Sequence, residues 1–153
     1  MTIPRSKTAA IRAPYPAEVL GNATVEKHLL GVFARPSMFV VRVSVDAVVA
    51  YVSGYDAALG GSALIGFQQW LIARGAIGNN QHWTALLLHA DPSDSEMLSR
   101  MRDLLGAYFS FRREHGLTRV FYDYALWLRR KRWYSEALRD PPARPKSRRS
   151  RHQ

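Results

Sequence analysis

The sequence contains no cysteine. Structural disulfides, thiolate zinc sites and cysteine nucleophiles are thereby excluded, and a reducing compartment is the simplest setting. Nor does any stretch approach the ~20 apolar residues of a membrane span. The opening residues, MTIPRSKTAAIRAP, carry charge and proline but no apolar run. A secretory signal is therefore not expected, and the expectation is a cytoplasmic domain with no membrane partner. Phosphate-loop chemistry is missing too: Gly60, Gly61 and Gly66 are followed by no Gly-Lys-Ser/Thr ending. No serine stands in a nucleophile elbow.

Acidic residues are scarce, 12 against 22 Lys and Arg, which gives a formal net charge of +10. Where that charge sits decides what it implies. Residues 1–13 hold Arg5, Lys7 and Arg12 without an acid, and residues 143–153 hold Arg144, Lys146, Arg148, Arg149 and Arg151 without one. Only +2 remains for residues 14–142, although Arg129, Arg130, Lys131 and Arg132 lie there in a row. The basicity is thus concentrated at the ends. The tail PPARPKSRRSRHQ has too few apolar residues to offset the entropy of ordering it. A solubilising tail is the simplest reading, with weak, salt-sensitive attraction to nucleic acid as the alternative.

What is present fits one globular unit. A chain of 153 residues, 47% apolar and 11% aromatic, can bury a sizeable core. Pro4, Pro14 and Pro16 punctuate an irregular arm over residues 1–18. A helical domain is expected over 19–139 and a disordered basic tail over 140–153. Within the domain, Asn22 or Thr24 caps a first helix that Arg35-Pro36 ends. The β-branched run Met38–Val43 reads as a short strand or an extended link.

Ser44 caps a helix carrying Val45, Val48, Val49, Val52, Tyr55 and Leu59, which Gly60-Gly61 stops. Ser62 reads as the start of another helix, ending at Arg74-Gly75 and apolar on most of its circumference, with Trp70 and Leu71 deep in the core. A further helix is expected from Asn80 to Ala90. Ser93-Asp94-Ser95-Glu96 is a capping box opening a long helix whose stripe is Met97, Met101, Leu104, Tyr108 and Phe111. His115-Gly116 ends it, and Thr118 caps the last helix, with Val120, Phe121, Tyr124, Trp127 and Leu128 on its inner face. The fold class is all-α: a compact single-domain bundle of about five or six helices.

Asp56 is the residue that stands out. At ~100° per residue it falls among Val45, Val49 and Val52 on an apolar face. Burial of an ionised carboxylate is costly without a partner. Arg35, Arg74, His82, Asn79, Asn80 or an indole N–H are the kinds available. The plainer role is a structural acid that pins helices; a ligand-binding or catalytic acid is the other. With Asn79, Asn80, His82 and Trp83 it forms the candidate binding set. Asn79-Asn80 also reads as a simple helix cap. His82 and His89 are seven residues apart, a poor chelating spacing, so neither a metal nor a cofactor is expected. Arg129, Arg130, Lys131 and Arg132, with Arg148 and Arg149 of the tail, are the candidate polyanion contacts. A basic final turn favoured by the helix dipole accounts for the first four equally well.

Four segments together carry a resemblance: Arg35-Pro36-x-Met38-Phe39, Gly54-Tyr55-x-x-Ala58, Gly66-Phe67-x-x-Trp70-Leu71 and Gly78-Asn79-Asn80-x-x-Trp83. They resemble a set of small bacterial helical proteins, some similar in size and character to the immunity-type proteins encoded beside bacterial toxins. The resemblance spans about Arg35 to Trp83. It implies a non-enzymatic protein that binds and occludes a partner such as a toxin, and it brings no reaction with it. Phe39 in place of the usual tyrosine, and the basic tail, depart from the pattern. The two other expectations are a nucleic-acid-associated protein using its basic ends and a small enzyme centred on Asp56.

Overall fold

The computed structural model of the chain describes residues 22–75, 82–85 and 93–131 together with Trp133, Tyr134 and Glu136. Four α-helices occur among them: α1 (Ala23–Ala34), α2 (Val45–Ala58), α3 (Phe67–Ala73) and α4 (Asp94–Arg129). The fold is mainly α, and no strand occurs among the described residues. The first 18 residues, the tail from 140 and most of the expected Asn80–Ala90 helix lie outside the described residues.

Local chemistry sets most of the boundaries. The Asn22 side chain accepts from the amides of Thr24 (2.9 Å) and Val25 (3.4 Å), opening α1. Ser44 Oγ accepts from the Ala47 amide at 3.2 Å and opens α2. The expected capping box opens α4: Glu96 takes the Ser93 amide at 2.9 Å while Ser93 Oγ accepts from the Glu96 amide at 3.3 Å. The Ser93 hydroxyl, which donates to Glu96 Oε2 at 2.7 Å, and secondly the Ser93 amide hold the Glu96 carboxyl below its usual range.

The core forms where α4 lies against α3 and α1. From α1 it receives Val25, Leu29, Val32 and Phe33; from α2, Val48 and Val52. α3 contributes Phe67, Trp70, Leu71 and Ile72, more than half of its length, as its nearly all-round apolar pattern requires. α4 closes the core with Met97, Leu98, Met101, Leu105, Tyr108, Phe109 and Val120.

Three expectations are corrected. The count of five or six helices is not matched. The break expected at Gly116 is present: that residue leaves helical geometry at φ 76°, ψ 166° and divides α4 into two helical stretches. The helix expected to begin at Ser62 begins instead at Phe67. Ser62 Oγ donates to the Leu59 carbonyl at 2.6 Å, closing the turn behind it rather than capping the turn ahead. The chain then crosses to α3 through Gly66 at φ 82°. A Cβ there would meet Tyr108 Oη at 2.9 Å and Val120 Cγ1 at 3.1 Å, so only glycine fits.

Finally, Met38–Val43 forms no strand. Pro36–Met38 is a 3-10 turn, the Phe39 and Val40 amides both bond to the Pro36 carbonyl, and Val41 is fully exposed. A β-branched run with no neighbouring strand gains nothing from extension.

Candidate functional site

A cleft of about 510 Å³ opens beside the α2–α3 loop. Asp56 of α2, Gln68 and Gln69 of α3, His82, Trp83 and Phe121 of α4 line it. Three members of the sequence-derived set, Asp56, His82 and Trp83, thus share one cavity. Asn79 and Asn80 lie outside the described residues, as does His89.

Asp56 is half-buried, not deep in the core. Its stripe neighbours Val45 and Val49 are also half-covered, because the inward face of α2 is Val48 and Val52. Its partner differs from every candidate expected: Oδ1 accepts from the Leu64 backbone amide at 2.9 Å. The residue's own carbonyl takes the amides of Leu59 (3.0 Å) and Gly61 (2.8 Å). Asp56 therefore ties the helix end to the loop that follows. It does so with a neutral donor. Arg74, one of the partners considered, lies elsewhere: its guanidinium is 4.3 Å from the Trp70 ring centre and 4.5 Å from that of Phe111.

His82 is exposed, with Nδ1 bonded to Thr84 Oγ1 at 2.9 Å. Trp83 is buried, packed on Phe67 at 5.5 Å between ring centres. The cleft therefore has an aromatic floor, amide walls and one carboxylate. Phe121 departs from the expected inner face of the last segment, which Val120, Tyr124 and Trp127 keep. It stands 41% exposed at the rim, about 100° around the helix from buried Val120. Tyr122 beside it is 57% exposed.

Among the expected polyanion contacts, Arg129 and Arg130 are exposed at the end of α4. The Lys131 ammonium lies 4.4 Å from the Trp127 ring centre, and exposed Trp133 follows. Arg132, Arg148 and Arg149 lie outside the described residues. No group of three His, Asp or Glu side chains placed to hold a metal occurs among the described residues. No helix among them is long and apolar enough to cross a membrane.

Two constellations escaped the sequence reading. Glu26 and Arg112 are both buried, with Glu26 Oε1 accepting from Arg112 Nη2 at 3.1 Å; Arg113 bonds the other oxygen. Arg112 Nη1 also donates to the Ala63 carbonyl at 3.2 Å, linking α1, α4 and the α2–α3 loop. Tyr108 donates to the Ile65 carbonyl of the same loop, and burial pushes its phenol up to about 12. The second constellation gathers His28, Phe39, Tyr51 and Tyr55. Tyr51 Oη lies 3.2 Å from His28 Nε2, and the Tyr55 ring is 4.5 Å from the imidazole. Phe39 and Tyr55 come from two of the four segments that carry the resemblance, which was the available signal.

Comparison with protein families, with known proteins and with solved structures gave no match for the chain.

Proposed function

We propose that the protein is a non-enzymatic binding module, immunity-like in the sense of occluding a protein partner, and that it acts in the bacterial cytoplasm. The observation that carries the reading is the exposure of Phe121, which lines the cleft, and of Tyr122 next to it in the chain. Large aromatics displayed together are enriched in protein interfaces, where they supply contact area at little entropic cost. On the helical projection Thr118, Phe121, Tyr122, Ala125 and Arg129 fall in one sector, and all five are exposed. The small residues between the aromatics leave room for a partner's side chains. A tagged chain retrieved from native cell extract should carry one protein in stoichiometric amount. The double variant Phe121→Ser, Tyr122→Ser should lose that protein while melting like the parent. Repeated recovery of none by the parent, or undiminished recovery by the variant, sinks the reading.

A second reading, a nucleic-acid-associated protein, is favoured by the exposed cations Arg129 and Arg130 ahead of exposed Trp133. Cations with a stackable ring are what a single strand requires. Truncation after Pro142 removes five cations. It should weaken polyanion binding and flatten its salt dependence; unchanged binding at moderate salt counts against this reading. A reaction centred on Asp56 has less support: no second acid lines the cleft among the described residues, and the carboxylate is engaged with the loop.

A further inference from the structure

We propose that the cleft beside the α2–α3 loop is a binding site for an organic cation, and that the group it takes is a guanidinium of arginine side-chain size. The inference does not depend on the aromatic face serving a protein partner. Its basis is a local inversion of charge. The chain carries +10 overall, yet among the described residues that line this cavity there is no lysine or arginine, and the single formal charge among them is the Asp56 carboxylate. Asp56 is half-buried, and the donor that holds its Oδ1 is the neutral Leu64 amide. A carboxylate withdrawn from bulk water and held by a neutral donor attracts a positive ligand more strongly than an exposed one does.

The remaining lining chemistry selects the kind of cation. Trp83 and Phe121 present aromatic surface, which favours a cation through the ring quadrupole and, for a planar guanidinium, through stacking as well. Gln68 and Gln69 bring amide groups of the type that orient a multi-donor ligand. The volume of about 510 Å³ lies within the range of small-ligand sites and exceeds what a lone inorganic ion would need. Phe121, 41% exposed, stands at the entrance, so the cavity is reached from solvent without opening the core.

Isothermal titration of the full chain with N-acetyl-arginine amide and with free arginine tests the proposal, with N-acetyl-citrulline amide as the uncharged isostere. Saturable binding is expected for both arginine probes and at least tenfold weaker binding for citrulline. Equal affinity for the two arginine probes indicates that the side chain alone is read, as it would be from a protein. A preference for free arginine indicates a metabolite-type ligand. Asp56→Asn preserves an acceptor for the Leu64 amide while removing the charge. It should melt close to the parent and bind the arginine probes at least tenfold more weakly. Phe121→Leu, at an exposed position, should weaken binding several-fold. Absence of saturable binding by the parent at 10-millimolar-order probe concentrations, equal binding of citrulline, or parent-like binding by a folded Asp56→Asn chain overturns the proposal. If Asp56→Asn fails to fold, the arginine–citrulline comparison on the parent still decides.

Discussion

Among the described residues Glu26 and Arg112 are the two charged side chains most fully removed from water, and each depends on the other. Glu26→Ala leaves a buried guanidinium with a carbonyl but no counter-ion, which should cost about 3–5 kcal/mol. The paired replacement Glu26→Leu with Arg112→Met removes both charges together and should recover most of that loss, since well-packed apolar pairs often equal buried ion pairs. Urea unfolding of the parent, the single variant and the double variant measures the difference. A double variant no better than Glu26→Ala would show that the charges themselves specify the packing of α1 on α4.

Tyr108 makes a second residue-level prediction, in pH. Its phenol rises from 10.0 to about 12 because burial disfavours the phenolate, with Glu26 adding to that effect and Arg112 opposing it. The folded value lies above the unfolded one, so this contribution is complete below about pH 10 and is lost as the pH climbs toward 12. Tyr108→Phe gives up the hydrogen bond to Ile65, about 1 kcal/mol, and cannot ionise. The parent's advantage over Tyr108→Phe should therefore shrink through that window. A difference that stays constant from pH 9 to 12 would mean that Tyr108 ionises as easily folded as unfolded.

Among the elements, α4 is the one whose continuity is conditional. Gly116 holds φ 76°, ψ 166°, a region open almost only to glycine, and a Cβ there would meet nothing within 4 Å. Gly116→Ala should consequently cost about 1–3 kcal/mol from the backbone alone. Thermal melting compared with that of Gly106→Ala checks the prediction, because Gly106 has ordinary helical geometry and a Cβ there would be 3.7 Å from Leu30. Equal melting of the two variants would mean that the bend at Gly116 relaxes at no cost. The sequence showed this break, since His115-Gly116 reads as a stop and Thr118 as the start of the stretch that follows.

Caps were legible because their chemistry is local: Asn22, Ser44 and Ser93 with Glu96 each act within three residues. Ser62 misled because a serine hydroxyl serves a preceding turn as readily as a following one. Asp56 was legible as a polar spot on an apolar helix, but not its partner, a backbone amide eight residues on. Glu26 and Arg112 stayed hidden for a different reason. Each sits in a helix among other charged residues, where a solvated face is the simplest reading, and only tertiary packing distinguishes them. The burial of Trp70 and Leu71, by contrast, followed directly from a helix with almost no polar side.

For the molecule as a whole, α4 covers both α1 and α3, so the earlier parts of the chain complete their core only when the later part arrives. Glu26 precedes Arg112 by 86 residues. At 5–20 residues per second on the ribosome, α1 would wait about 4–17 s after its own synthesis for the partner that neutralises Glu26. Throughout that interval Leu29, Val32 and Phe33 have no α4 to rest on. The nascent chain should accordingly remain protease-sensitive and bind chaperones until α4 has left the exit tunnel, and arrested chains ending before Arg112 should be degraded faster than those carrying all of α4.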